Sequence, residues 1–155
     1  FIGMFMMISA LEHNGVIEWL GHRMVELAGG NLFALCMVIL WGSALFSAIL
    51  DNIPFVITMV PLIQSVSAGL AQDLGVTDPA VIHLTIQQPM WWSLALGACL
   101  GGNGTLIGAS ANIVMARISE RNGSPISFMR FTKYGIGFML QSMVLSTVYV
   151  WLRYF

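Results

Sequence analysis

A run of twenty residues without a charged side chain, NLFALCMVILWGSALFSAIL at 31–50, limits the folds that are open to this chain. A helix of roughly 20 apolar residues is as long as the hydrocarbon core of a bilayer is thick. Charged residues make up only 8% of the whole chain, whereas a soluble domain carries about 25%. The sequence therefore predicts an all-α polytopic membrane protein. Its net charge of −1 offers no basic surface for phosphates, which argues against nucleic acid as a partner.

The charged residues and the interruptions of apolar runs divide the chain into seven predicted segments. Segment 1–11 is apolar but shorter than a span, so we expect the end of a transmembrane helix there. Segment 12–30 has opposite apolar and polar stripes, which is typical of an amphipathic helix in the membrane interface. The apolar stripe consists of Val16, Leu20, Met24 and Leu27, and the polar stripe of Glu18, His22 and Glu26. The other segments are a re-entrant helical hairpin at 31–67, an extracytoplasmic loop at 68–87, a broken transmembrane helix at 88–119, a cytoplasmic basic loop at 120–130 and a last transmembrane helix at 131–155.

The hairpin is predicted from the tetrapeptide DNIP at 51–54. Pro54 disfavours helical backbone at Ile53 and suits the first turn of the helix that follows. That helix, PFVITMVPLI, is strongly apolar over about ten residues, which rise about 15 Å or half of the hydrocarbon core. A re-entrant hairpin with DNIP at its tip fits this length better than two full spans, which stay the alternative.

A second interruption, GGNGTLIGASAN at 101–112, opens an otherwise apolar run and is rich in glycine and small polar residues. Backbone that leaves the helix cannot face lipid, because each unpaired N–H or C=O group costs several kcal/mol there. It is tolerated where it lines a cavity or is buried in protein. We therefore expect an unwound segment here, and we expect it to meet the DNIP tip and enclose a solute or an ion.

Asp51 is the sharpest candidate residue, because it is the only acidic residue between Glu26 and Asp73. A carboxylate inside the membrane is a functional candidate by default, as an ion ligand or a proton carrier. The alternatives are that Asp51 caps the following helix or lies in a surface turn between two spans. The adjacent Asn52 adds a side-chain oxygen that can bind a cation.

The other candidates come from the unwound segment, where the alternative role of each polar side chain is helix–helix hydrogen bonding. The predicted ion- or substrate-binding residues are Asp51, Asn52, Gly102, Asn103, Gly104, Thr105, Ser110 and Asn112. If the ion is Na⁺, its expected ligands are Asp51, Asn52 and Thr105. Ser43 and Ser47 are expected to bond to carbonyls of their own helix. No nucleophile stands beside a base, so we predict no enzyme and no cofactor beyond a coupling Na⁺ or H⁺.

Orientation follows from the basic residues. Four of the six Lys and Arg residues lie in or beside the connection between the broken helix and the last span, and the positive-inside rule assigns that connection to the cytoplasm. The loop at 68–87, the interfacial helix and the C-terminus are then on the outside. The four residues are Arg117, Arg121, Arg130 and Lys133.

The motifs SAILDNIPFVITMVP (47–61) and GACLGGNGTLIGASANIV (97–114) together resemble the ion-transporter superfamily of secondary carriers. They are most similar to the arsenite-permease and melanocyte P-protein branch, which is often filed as citrate-transporter-like. The resemblance implies two inverted repeats, each with an interfacial helix, a re-entrant hairpin and a broken helix, of which this chain is most of the second. It also implies a sliding transport domain, a homodimer and a bacterial inner membrane.

The tip differs from that of related sodium/dicarboxylate carriers, which have Ser-Asn-Thr where this chain has Asp-Asn-Ile-Pro. A fixed acid repels a carboxylate substrate unless it is protonated or ion-paired, and acid-bearing sites occur in the sodium/proton antiporters of the same superfamily. We expect the C-terminal half of a secondary active transporter that moves a small ion or anionic solute by alternating access, coupled to H⁺ or Na⁺. The missing N-terminal repeat is expected to complete the site. A passive channel and a non-transporting membrane assembly subunit are the alternatives.

Overall fold

The computed structural model describes residues 6, 10, 13–50 and 52–155. Every regular element in these residues is a helix, which confirms the predicted all-α membrane protein. The predicted helix end at 1–11 is described only at residues 6 and 10. The elements are α1 (Val16–Ala28), α2 (Leu32–Ser47), α3 (Asn52–Asp73), α4 (Pro79–Val81), a π-helical segment (Ile82–Gln87), α5 (Gln88–Gly101), a 3₁₀ turn (Gly102–Gly104), α6 (Ser110–Arg121) and α7 (Phe128–Tyr154).

The chain turns sharply between α1 and α2. Gly29 ends α1 with a left-handed φ of 59°, and Asn31 then caps α2 by accepting a hydrogen bond of 2.9 Å from the backbone N–H of Phe33. These two local signals produce a bend of 117° between the helices. Of the predicted apolar stripe, Met24 packs against the core whereas Leu27 is 76% exposed. The buried face of α1 therefore includes Ala28 and is rotated away from Leu27.

Helices α2 and α3 form a hairpin. The far end of α3 lies against α1, which directly precedes α2, so the two arms run in opposite directions from a tip at residues 48–50 and 52. α3 extends to Asp73, beyond the predicted end of the hairpin at residue 67. Its 22 residues are about 33 Å long. The helix continues because the buried positions Leu62 and Ile63 are followed past Gln64, at helical spacing, by Val66, Leu70 and Ala71.

The segment predicted as a loop, 68–87, is helical over most of its length. Asp78 caps α4 by accepting a hydrogen bond of 2.9 Å from the N–H of Ala80, and the π-helical segment then leads into α5 without a break. At the other end of the chain α7 begins at Phe128, three residues before the predicted start at 131. In the sequence, these boundaries are marked only by the helix-capping residues Asp78 and Ser127, which are a weaker signal than a change in hydropathy.

The core of the fold is made by α2, α3, α5 and α7. α5 runs parallel to α2, and the two backbones touch where Gly97 faces Leu40 and Gly101 faces Ala44. α7 runs in the opposite direction, because Met139 lies at the tip of the hairpin and Phe155 contacts Phe33 at its base. A hydrogen bond of 3.2 Å from the Trp41 indole N–H to Thr147 joins α2 to α7 midway.

Two helical stretches, Phe55–Asp73 and Phe128–Tyr154, are long and apolar enough to cross a membrane. The bent pair of α1 and α2 is a third if it counts as one span. The helix length of α3 removes the argument that its arm is too short to span. The re-entrant course of the hairpin stays a prediction.

Candidate functional site

The two interruptions that the sequence places 50 residues apart are in contact. α2 ends at Ser47 and α5 ends at Gly101, and because the helices are parallel and packed side by side, both ends lie at the same level. The hairpin tip then continues into α3, and the unwound segment, residues 102–109, continues into α6. Four half-helix ends therefore converge on one junction.

Thr105 joins the unwound segment to the hairpin. Its hydroxyl donates to the carbonyl oxygen of Ala48, the C-cap residue of α2, and accepts a bond of 3.1 Å from the N–H of Gly108. The first bond crosses between the interruptions and the second closes the turn of the unwound segment. A single side chain thus fixes both the position and the shape of this backbone.

Ser47 makes a second cross-connection. Its hydroxyl contacts the side-chain amide of Asn52 and lies 2.6 Å from the carbonyl oxygen of Ala98 in α5. A hydroxyl has one proton to donate, whereas the amide of Asn52 can present its oxygen or, after a 180° rotation, its NH₂ group. With Asn52 donating to Ser47 and Ser47 donating to Ala98, the amide oxygen of Asn52 is left for another partner.

Glycines let these backbones approach closely. A Cβ atom at Gly102 would lie 2.9 Å from the carbonyl oxygen of Gly108 and 3.0 Å from the side-chain amide of Asn52. One at Gly108 would lie 2.8 Å from the carbonyl oxygen of Gly102 and 3.0 Å from that of Ser47. Such distances are shorter than those real Cβ atoms show, so no larger residue fits without a shift. The space that a side chain would fill is bordered by carbonyl oxygens.

The junction is therefore rich in oxygen atoms with negative partial charge. The carbonyl ends of α2 and α5 point toward it, and a helix C-terminus carries roughly half a negative charge. Side-chain oxygens of Asn52 and Thr105 border the same space. An arrangement of this kind suits a cation, whereas the N-termini of α3 and α6 on its other side suit an anion.

Comparison with known proteins identifies the family of this chain. A family model described as citrate transporter matches residues 1–154, which is nearly the entire chain. The chain belongs to the citrate transporter family. This agrees with the resemblance to the ion-transporter superfamily that the motifs at 47–61 and 97–114 indicated.

Individual members of the family align along the whole of this chain. It is 44% identical over 155 residues to an uncharacterised transporter of Mycobacterium tuberculosis, covering 100% of this chain and 34% of that protein. It is 39% identical over 155 residues to the mouse P protein, covering 97% and 17%. It is 38% identical over 159 residues to an uncharacterised transporter of Synechocystis, covering 99% and 35%. The chain thus spans about a third of the bacterial relatives, and no solved structure matches it significantly.

The structure brings together only some of the residues predicted for the site of this citrate transporter family member. Asn52, Gly102 and Thr105 meet at the junction, and Gly104 lies at its edge, facing Ala48 and Met139 of α7. Asp51 lies outside the described residues. The remaining three predicted residues, Asn103, Ser110 and Asn112, lie at different positions and have different contacts.

Asn112 holds the backbone of the unwound segment. Its amide NH₂ donates bonds of 3.0 Å and 3.1 Å to the carbonyl oxygens of Gly102 and Thr105. Ser110 is the exposed first residue of α6. The exposed side chain of Asn103 borders a different cavity, beside α7.

Ser47 was missed as a site residue. The sequence predicted a bond from its hydroxyl to its own helix, and the same for Ser43. Ser47 instead reaches Asn52 and Ala98, and the buried hydroxyl of Ser43 has no hydrogen-bond partner among the described residues. The available signal was position, because Ser47 stands in the last turn of α2, where own-helix bonding competes with groups across the helix end.

Proposed function

We propose that this chain belongs to the C-terminal half of a secondary active transporter, which moves a small ion or anionic solute by alternating access and is coupled to Na⁺ or H⁺. The observation that supports it is the contact between the hairpin tip and the unwound segment, where Thr105 bonds to Ala48 and Asn52 borders Gly102. A transporter needs a binding site inside its membrane domain, and broken helices provide one without exposing backbone to lipid.

Sodium coupling is the form of the proposal that the oxygen atoms favour. Asn52 and Thr105 offer side-chain oxygens, and the carbonyl oxygens of Ser47 and Gly108 lie next to them. Hard cations prefer such neutral and anionic oxygen ligands. Asp51, which directly precedes Asn52 in the sequence, would add a carboxylate and so raise the affinity for Na⁺.

Proton coupling is the second form, and it depends on Asp51 alone. A carboxyl group taken into the membrane can carry a proton from one side to the other. Protonation also removes the charge that repels an anion, so a solute could bind together with H⁺. Exchange of one cation for the other, as in an antiporter, uses the same group.

The complete protein is expected to supply the rest of the machinery. The bacterial relatives are about three times as long as the region matched here, and an N-terminal repeat of inverted topology would complete the site. We further propose a homodimer in a bacterial inner membrane, with 120–130 in the cytoplasm, α1 as an interfacial arm and the helices α2 to α6 sliding as a transport domain.

The test separates ion binding from transport, using the complete protein. Equilibrium binding of ²²Na⁺ to purified protein is measured first, because it needs no substrate. We expect Thr105→Val, which removes the hydroxyl at constant size, to weaken Na⁺ binding by about tenfold, the loss of one ion–oxygen contact of roughly 1.4 kcal/mol. Thr105→Ser keeps the hydroxyl and serves as the matched control.

Transport is measured in proteoliposomes with imposed Na⁺ or H⁺ gradients and labelled citrate as the first probe, since citrate is the substrate in the family's name. We expect gradient-driven uptake that Asp51→Asn abolishes and that Asp73→Asn, at the exposed end of α3, leaves intact. Flux that ignores both gradients and survives Asp51→Asn would identify a passive channel instead. Absence of any flux with any ion would favour an assembly subunit.

A further inference from the structure

A cavity separate from the junction opens at the end of the molecule where the basic residues lie. It has a volume of about 950 Å³ and is bordered by the first half of α7, by the α6–α7 connection and by Asn103. We refer to it as the basic-end cavity. Its walls are mainly aromatic and aliphatic, and its mouth carries Arg130 with the serines Ser119 and Ser124.

The segment of the chain that includes this cavity's lining residue Arg130 is strongly one-sided in charge. Between Arg117 and Lys133 the chain has four cationic residues and one acidic residue, Glu120, a net charge of +3. The described residues contain one salt bridge, Arg23–Glu26, so Arg130 has no carboxylate partner among them. A guanidinium group at the membrane surface without a protein counter-charge favours an anion, and its planar fork matches phosphate oxygens.

The rim of the cavity is held in place by local structure. Gly123 adopts a left-handed φ of 78°, and the N–H groups of Gly123 and Ser124 bond back to Glu120 and Ser119 at 3.0 Å each. This pair of hydrogen bonds ends α6, and Pro125 prevents the helix from continuing. Ser127 then caps α7 by accepting a bond of 3.3 Å from the N–H of Arg130. The cationic side chain is thereby presented from an ordered helix start.

The depth of the cavity matches one leaflet of a bilayer. Its wall on α7 extends from Phe131 past Phe138 to Ser142. These eleven steps along the helix correspond to about 16 Å, and half of the hydrocarbon core is about 15 Å. Phe138 is 68% exposed, so this wall presents aromatic surface along the direction that an acyl chain would take.

From this geometry we infer that the basic-end cavity binds an anionic phospholipid, with the headgroup phosphate at Arg130 and one acyl chain along Phe131 and Phe138. The positive charge of Arg130 favours an anionic headgroup, and the depth of the cavity suits an acyl chain that extends into the membrane. Basic pockets between transmembrane helices are general sites for anionic lipid headgroups. This inference does not depend on what the junction at Thr105 transports.

The experiment is lipid retention by the complete protein, measured by native mass spectrometry after incubation with equal amounts of phosphatidylglycerol and phosphatidylcholine. We expect the wild type to retain phosphatidylglycerol preferentially. Arg130→Gln should weaken that retention by about tenfold, which is the size expected for one lost charge-assisted hydrogen bond. Lys133→Gln removes the same charge one turn away, outside the cavity lining, and should change retention less than twofold.

Two further arms test the chain and the location. Soluble glycerol phosphate should not compete with the lipid at millimolar concentration, because it lacks the acyl chain that Phe138 contacts. A phosphatidylglycerol with a photoreactive acyl chain should label the peptide that contains 131–142. Equal retention of both lipids, equal losses in Arg130→Gln and Lys133→Gln, competition by glycerol phosphate, or labelling elsewhere would each overturn the inference. Labelling elsewhere is also the result expected if another segment of the protein fills this cavity.

Discussion

The two halves of the broken helix, α5 and α6, lie on either side of the unwound segment and have opposite surroundings. α5 buries seven of its fourteen residues against the rest of the fold. α6, which begins after the unwound segment, has no buried residue, and Val114 and Ile118 are more than half exposed. The break therefore separates a half-helix that belongs to the core of this chain from one that has no partner within the described residues. The apolar face of α6 needs a cover of lipid or of protein.

The two half-helices are also held in place by different interactions. α5 is held by packed apolar side chains, by backbone contact with α2 and by the bond between Ser47 and Ala98. α6 is attached through Asn112 and through the unwound segment. Substitutions of the same kind in the two regions should therefore have very different consequences.

The largest effect is expected from shortening a buried side chain of α5. Leu94 is 2% exposed, so Leu94→Ala should lower the free energy of unfolding by about 2–5 kcal/mol, because it leaves a cavity in the core. The same truncation in α6, Ile118→Ala, should cost less than about 0.5 kcal/mol, because that side chain is largely exposed. Thermal unfolding of the purified protein in detergent measures both. A large loss in Ile118→Ala would show that another segment packs on α6.

A smaller but sharper effect is expected where α2 and α5 touch. Gly101→Ala puts a Cβ atom against the backbone of Ala44, which cannot yield, so we expect destabilisation by about 1–3 kcal/mol from overpacking. Gly42→Ala, on α2 with nothing within 4 Å, should be neutral or stabilising by up to about 1 kcal/mol through helix propensity. Circular dichroism melts distinguish the two. Similar losses in both variants would mean that the contact of these helices is looser than the structure has it.

The smallest effect concerns two buried serines in one helix. Ser47→Ala leaves the carbonyl oxygen of Ala98 and the amide of Asn52 without this partner, at a cost of about 1–2 kcal/mol. Ser43→Ala removes a buried hydroxyl that has no hydrogen-bond partner among the described residues, so it should be neutral or slightly stabilising. A chemical denaturation midpoint for each variant is sufficient. Equal costs would contradict the distinct roles assigned to these serines.

Hydropathy and glycine spacing predicted the helical class, the break within 101–112 and the contact between the two interruptions. These features follow from the rule that unpaired backbone cannot face lipid, which acts on sequence directly. The length of α3 was underestimated. The polar residues Gln64 and Ser65 were taken as the end of an apolar run, although buried positions continue beyond them on the face of α3 that packs against the core. The division of labour among the polar residues was also beyond the sequence. Asn112 and Ser47 depend on which groups a distant helix brings within reach.

The oxygen atoms around Gly102 and Gly108 belong mostly to the main chain, and this has a consequence for how such a site tolerates change. Every amino acid carries the same carbonyl group, so replacing Ser47 or Ala48 does not delete the carbonyl oxygen found there. Substitutions that add atoms at Gly102 or Gly108 should therefore disturb this main-chain part of the junction, whereas its carbonyl oxygens stay in place when a neighbouring side chain is replaced. A saturation screen would then record this part of the junction as two positions, Gly102 and Gly108, where added bulk is forbidden.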